Sequence, residues 1–107
     1  MNTIEQTEEF EEWLDNLKDT QAQKVIAREI LKMQGGLFGD HKSLRDKVAE
    51  ARIHYGPGYR LYYTKIGSTI YLMLGGGTKK KQDADIETAV QLAKRWREEC
   101  DDEDESE

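Results

Sequence analysis

A single cysteine, Cys100, and only two histidines, His41 and His54, occur in 107 residues. One cysteine excludes an intramolecular disulfide and points to a reducing compartment. Two histidines with no second cysteine leave no metal-ligand spacing, and no cofactor is implied. Apolar runs are short as well. The longest, Ile70 to Leu74, is far below the roughly 20 residues that a membrane-spanning helix needs. The first residues, MNTIEQTEEF, have no classical targeting pattern. The expectation is a soluble, cytoplasmic domain without a membrane partner, long enough to bury roughly two-thirds of its unfolded surface.

Acidic residues are missing from one stretch altogether. Ala51 to Gln82 contains no Asp or Glu, yet it holds Arg52, Arg60, Lys65, Lys79, Lys80 and Lys81, in a chain of formal net charge -6. The overall acidity comes from the other end. Residues 98 to 107, EECDDEDESE, carry eight of the 22 acids and no base, so residues 1 to 97 hold 16 bases against 14 acids, a net +2. The division expected is therefore a folded domain over 1–97 and an acidic tail over 98–107, disordered because it has too little apolar surface to offset chain entropy. A field of one sign with interleaved Tyr and His suits a polyanion, since cations attract phosphates and rings stack on bases.

Periodicity predicts an α+β domain. Asn2 to Gln6 is read as a first strand. Thr7 is placed to cap a helix in which Phe10, Trp13, Leu14 and Leu17 recur on one face. Thr20 and Gln23 have capping-box spacing for a second helix with Ala22, Ile26, Ile30 and Met33 inward, ended by Gly35-Gly36. Residues 37 to 48 are expected to form a loop with a short strand. From Ala51 the period becomes two, giving an antiparallel three-stranded meander turned at Gly56-Pro57-Gly58 and at Gly67-Ser68. Gly75-Gly76-Gly77 should stop the third strand, and Asp83 should cap a last helix with Ile86, Ala89, Val90, Ala93 and Trp96 inward. With Ile53, Leu61 and Leu72 toward the helices, alternation puts Arg52, His54, Arg60, Tyr62, Tyr71 and Met73 on an open face.

That face is equipped to handle a phosphodiester. Cleavage of RNA by its own 2′-hydroxyl needs a proton acceptor, a cation for the developing phosphorane charge and a donor to the leaving 5′-oxygen. Arg52 and Arg60 on adjacent strands can clamp non-bridging oxygens. His54 is the one side chain there of a type that titrates near neutrality. Lys79, Lys80 and Lys81 can neutralise flanking phosphates, and Tyr62 and Tyr71 can stack on bases. GGGTKKK lacks the spacing of a nucleotide-binding phosphate loop, and Ser68 is explained by its turn.

The string ARIHYGPGYRLYYT, followed after a hairpin by IYLMLGGGTKKKQDADIETAVQLAK, resembles killer proteins of the RelE/ParE superfamily of bacterial toxin–antitoxin modules, in the phage-type branch related to HigB. The matching positions are Glu50, Arg52, Ile53, Tyr55 to Arg60, Gly76 to Lys79, Gln82, Asp85 and Ile86, and the likeness runs over about residues 2 to 97. The resemblance implies a RelE-like fold, with an N-terminal helical hairpin packed on an antiparallel sheet and a C-terminal helix. It implies cleavage of mRNA on the ribosome and inhibition by a helix-turn-helix antitoxin. Carried over by position, Arg60 matches the arginine of the central strand, Arg52 that of the preceding strand and Lys79 the basic residue of the loop after the last strand.

The chain departs from the pattern at Thr78, where many relatives have Asp, and at Lys80 and Lys81, where they have small polar residues. Two other readings accompany the resemblance. One is a ParE-like toxin that binds a topoisomerase and has no nuclease activity. The other is a non-catalytic member that keeps antitoxin or RNA binding.

Overall fold

The computed structural model describes residues 1–105, with side chains through residue 99. Strand β1 (Thr3–Gln6) leads to α1 (Glu8–Asp15) and α2 (Thr20–Gln34). Strands β2 (His41–Ser43), β3 (Val48–Ile53), β4 (Tyr59–Lys65) and β5 (Ile70–Thr78) follow, then a 3-10 turn (Lys79–Lys81) and α3 (Gln82–Glu105). The five strands form one sheet in the order β1-β5-β4-β3-β2. It is mixed rather than purely antiparallel, because β1 pairs parallel to β5 while the other three pairings are antiparallel. No described helix is long and apolar enough to cross a membrane.

Side-chain hydrogen bonds set the helix ends. Thr7 caps α1 by accepting from the Phe10 amide at 3.1 Å, and its hydroxyl donates to Met73 O at 3.0 Å, fastening the helix start to β5. The cap of α2 is Asp19 and not Thr20, since Asp19 Oδ1 accepts from the amides of Gln21 and Ala22 at 3.0 and 3.2 Å. Gln23 therefore makes no capping box. Its amide instead donates to the carbonyls of Leu14 and Leu17 at 3.0 and 3.2 Å, joining the start of α2 to the end of α1 and the turn after it.

Both faces of the sheet are covered. Phe10 of α1 and Ala22, Ile26, Ile30 and Met33 of α2 pack on Ala51, Ile53, Leu61, Tyr63 and Met73. On the other face Ala89, Val90, Leu92 and Ala93 of α3 pack on Val48, Tyr62, Leu72 and Leu74. Each fully buried Val, Leu, Ile, Phe or Met side chain among these contributes roughly 1.5–3 kcal/mol.

The expected alternation fails within β5. Tyr62 pairs with Gly75 and Tyr63 with Met73, so Leu74 is an extra residue and the ladder shifts there. A bulge reverses which side chains point to which face. Met73 and Tyr71 accordingly belong with α1 and α2, and Leu72 and Leu74 with α3, the opposite of simple alternation.

Nor do the glycines stop the strand, which runs through them to Thr78. A Cβ at Gly76 would lie 2.3 Å from the Trp13 ring, and one at Gly77 would lie 1.9 Å from Asp85 Oδ2. These two glycines let Trp13 close on one face of β5 and Asp85 on the other. Asp83 sits in the first turn of α3, which continues directly from the lysine turn. Helix α3 extends through Glu105, beyond the limit of 97 expected for the folded domain. The expectation for the acidic tail otherwise concerns side chains from 100 onward and residues 106 and 107, which lie outside those described.

Candidate functional site

Pairing of β3 with β4 sets Arg52 directly opposite Arg60, and pairing of β4 with β5 sets Arg60 opposite Gly77. Two like charges at one register position repel. A buried carboxylate answers them. Glu50, two residues before Arg52 and on its face, is completely buried. It accepts from Arg52 Nε at 3.0 Å and from Gln82 Nε2 at 3.0 and 3.3 Å. Gln82 is the first residue of α3, so this carboxylate ties the sheet to the end of the lysine turn.

A second carboxylate lies at the rim. Asp40 O accepts from the Arg52 amide at 2.9 Å, and Asp40 Oδ1 stands 3.9 Å from Arg52 Nη1. Asp40 Oδ2 is 2.5 Å from Nε2 of His54, whose side chain is 75% exposed and whose Nδ1 has no hydrogen-bond partner among the described residues. The hydrogen bond with His54 holds the Asp40 carboxyl below its usual pKa, with further lowering from the charges of Arg52, His54 and Arg60 against an opposing desolvation. The stretch without acids in sequence is therefore not free of acids in space, because Asp40 and Glu50 come in from outside it.

Arg60 differs from Arg52. Its Nε is buried without a hydrogen-bond partner, and among the described residues it makes no ion pair. At the same end of the sheet, Lys79 N donates to Gly58 O at 2.9 Å, joining the lysine turn to the β3–β4 turn, where Gly56 and Gly58 adopt φ of 57° and 81°. Lys79, Lys80 and Lys81 are all exposed, and with Gln82, Asp83 and Ala84 they line a cavity of about 320 Å³. Asp85 packs over Gly77, where burial raises its carboxyl pKa against the lowering influence of Lys81.

The structure thus brings Arg52, His54, Arg60 and Lys79–Lys81 to one end of the sheet, and it separates both tyrosines from them as stacking surfaces. Tyr62 has no exposed surface, because α3 covers the half of the face that alternation alone leaves open. Its hydroxyl has no hydrogen-bond partner among the described residues, and burial, reinforced by the charges of Glu50 and Asp85, pushes its pKa well up. Tyr71 is on the other face, 5.3 Å from Phe38 and 5.9 Å from Tyr63, with Lys65 Nζ 5.6 Å from its ring centre. Sequence reasoning assigned no role to Asp40, Glu50, Gln82 or Asp85. The last three occur in the runs that carry the family resemblance, and that was the available signal.

No family model matches the chain. An uncharacterized protein of Haemophilus influenzae is 41% identical over 90 residues, which cover 84% of this chain and 91% of that protein. The chain belongs to the same family as that protein. The relative is itself uncharacterized, so kinship brings no activity with it, and any function has to be argued from the side chains.

Proposed function

We propose that this chain is a toxin of the RelE/ParE superfamily, with a RelE-like fold and N-terminal helical hairpin, that cleaves mRNA on the ribosome and is held inactive by a helix-turn-helix antitoxin. The observation that carries the reading is Arg60. It is a guanidinium on β4, the middle strand, set opposite Arg52 and without a carboxylate partner among the described residues. A cation held by the sheet and left unneutralised suits a phosphate, whose oxygens take paired guanidinium hydrogen bonds.

In the reaction, the 2′-oxygen attacks phosphorus, the new O2′–P bond forms and the P–O5′ bond breaks. The products are a 2′,3′-cyclic phosphate and a free 5′-hydroxyl. The 2′-hydroxyl proton passes to Nδ1 of His54, whose other ring nitrogen is engaged by Asp40. Arg60 and Arg52 stabilise charge on the non-bridging oxygens, and Lys79 supplies a proton to the departing 5′-oxygen. Solvent then returns the imidazole and the amine to their starting states. No metal enters this scheme.

Primer extension on cellular mRNA after induction tests the reading. Discrete cuts inside translated codons, absent with Arg60→Ala and suppressed by the neighbouring antitoxin gene, are expected. Topoisomerase-linked DNA breaks, or growth arrest without cuts, would overturn it.

A further inference from the structure

Helices α1 and α2 lie on the same face of the sheet and carry opposite charge. Helix α1, EEFEEWLD, has five acids and no base, whereas α2 has Lys24, Arg28 and Lys32 with a single acid, Glu29. That acid is already engaged: Glu29 Oε2 is 2.9 Å from His41 Nε2, and His41 Nδ1 is 2.8 Å from the Tyr63 hydroxyl. The three cations recur at i, i+4 and i+8, so they share one line along α2. All three are exposed, and among the described residues none makes an ion pair. Like charges at that spacing repel, so the arrangement weakens the isolated helix and favours contact with a polyanion.

The line is continuous with the site. A cavity of about 300 Å³ has Arg28 and Lys32 on one wall and Asp40, Arg52 and His54 on the other. At the opposite end of α2, its cap Asp19 accepts from the Tyr55 hydroxyl at 3.1 Å, which holds the helix start against the β3–β4 turn. From Lys24 to Lys32 the stripe runs about 12 Å at 1.5 Å per residue.

We infer that Lys24, Arg28 and Lys32 form a track that carries the phosphates of the substrate RNA strand beyond the Arg52–Arg60 site, so that the strand leaves the sheet along α2. The acidic α1 repels the same strand, which sets its direction. The inference rests on the reading of the site as RNA-binding. It differs from that reading in predicting an effect of strand length: a short oligonucleotide fills only the arginine site, and a longer one reaches α2.

The test is binding of fluorescent, non-cleavable 2′-O-methyl oligouridylates of about 4 and about 12 nucleotides across a salt series. It compares the wild-type chain, Arg60→Ala, the triple variant Lys24→Gln/Arg28→Gln/Lys32→Gln, and Lys94→Gln as a control for an exposed cation on α3. Lys24, Arg28, Lys32 and Lys94 are exposed and Arg60 is half-buried, so folding of each variant is checked by circular dichroism and urea unfolding. For the longer strand, the triple variant should lower the slope of log affinity against log salt by about 2 and weaken low-salt binding by about tenfold or more. Binding of the short strand should be unchanged, while Arg60→Ala weakens both. The track is overturned if the triple variant binds the longer strand as the wild type does, if both lengths weaken equally, or if Lys94→Gln gives the same loss. A wild-type chain that binds neither strand overturns the RNA reading of the site itself, and the track with it.

Discussion

Arg52 and Arg60 occupy one register position on neighbouring strands, and only Arg52 has carboxylates beside it, Glu50 at 3.0 Å and Asp40 at 3.9 Å. The two guanidinium groups therefore differ in how they are held. Arg52 is held by a buried acid that its strand supplies, whereas Arg60 has no carboxylate partner among the described residues.

Arg60→Ala should abolish growth inhibition, lowering cleavage by about 10²–10³ if its guanidinium stabilises the phosphorane. Because the change also removes a like-charge contact and a buried Nε without a partner, unfolding free energy should stay within about 0.5 kcal/mol of wild type. Lys79→Ala should cost less activity, since Lys80 and Lys81 occupy the same turn. Growth assays at matched expression with urea unfolding decide this, and an Arg60→Ala protein that still arrests growth refutes the assignment.

Glu50→Leu should destabilise the domain by about 3 kcal/mol, because it leaves Arg52 and the Gln82 amide without their buried acceptor. Glu50→Gln should cost less, since an amide oxygen still accepts from Arg52 Nε. Chemical denaturation of the two variants gives the comparison, and equal stability of Glu50→Leu and wild type would show that the carboxylate does not hold this corner together.

The three glycines of β5 should respond differently to alanine. Gly76→Ala drives a methyl group into the Trp13 ring and should cost about 1–3 kcal/mol. Gly77→Ala meets only the end of the Asp85 side chain, which can turn away, so it should cost less. Gly75→Ala meets nothing within 4 Å and should be neutral or mildly stabilising, as alanine is in an element interior. Midpoints of thermal unfolding in the order Gly75→Ala, Gly77→Ala, Gly76→Ala from highest to lowest are the expected result; any other order contradicts the packing.

Asp85 titrates with the sign opposite to that of Asp40. Burial raises the Asp85 pKa above the ordinary aspartate value of 3.8, so the folded state holds its proton more tightly than the unfolded chain does. The stability this gives is complete below that value and is lost as pH rises through the folded pKa. Asp85→Asn should therefore gain on wild type as pH rises through the folded Asp85 pKa and keep the gain at neutrality. Asp40, lowered by His54, stabilises above 3.8 and loses that contribution as pH falls through its folded pKa, so any stability difference of Asp40→Asn should shrink on acidification. Urea midpoints across this pH range check both signs.

The sequence by itself determined the local features. The Thr7 cap, the apolar stripes of Phe10 and of Ile26, Ile30 and Met33, the turn at Gly56-Pro57-Gly58 and the placing of Arg52 and Arg60 on adjacent strands and one face were legible, because each depends on spacing of a few residues or on a single turn reversal. Tertiary structure alone decided which face each β5 residue takes, since one extra residue at Leu74 inverts the alternation and no local preference in the sequence signals it. It also decided that α3 buries Tyr62, and that Asp40 and Glu50 bring negative charge to a segment with none of its own. Contacts between distant segments depend on how the whole chain closes around its core, and spacing along the chain carries no record of that closure.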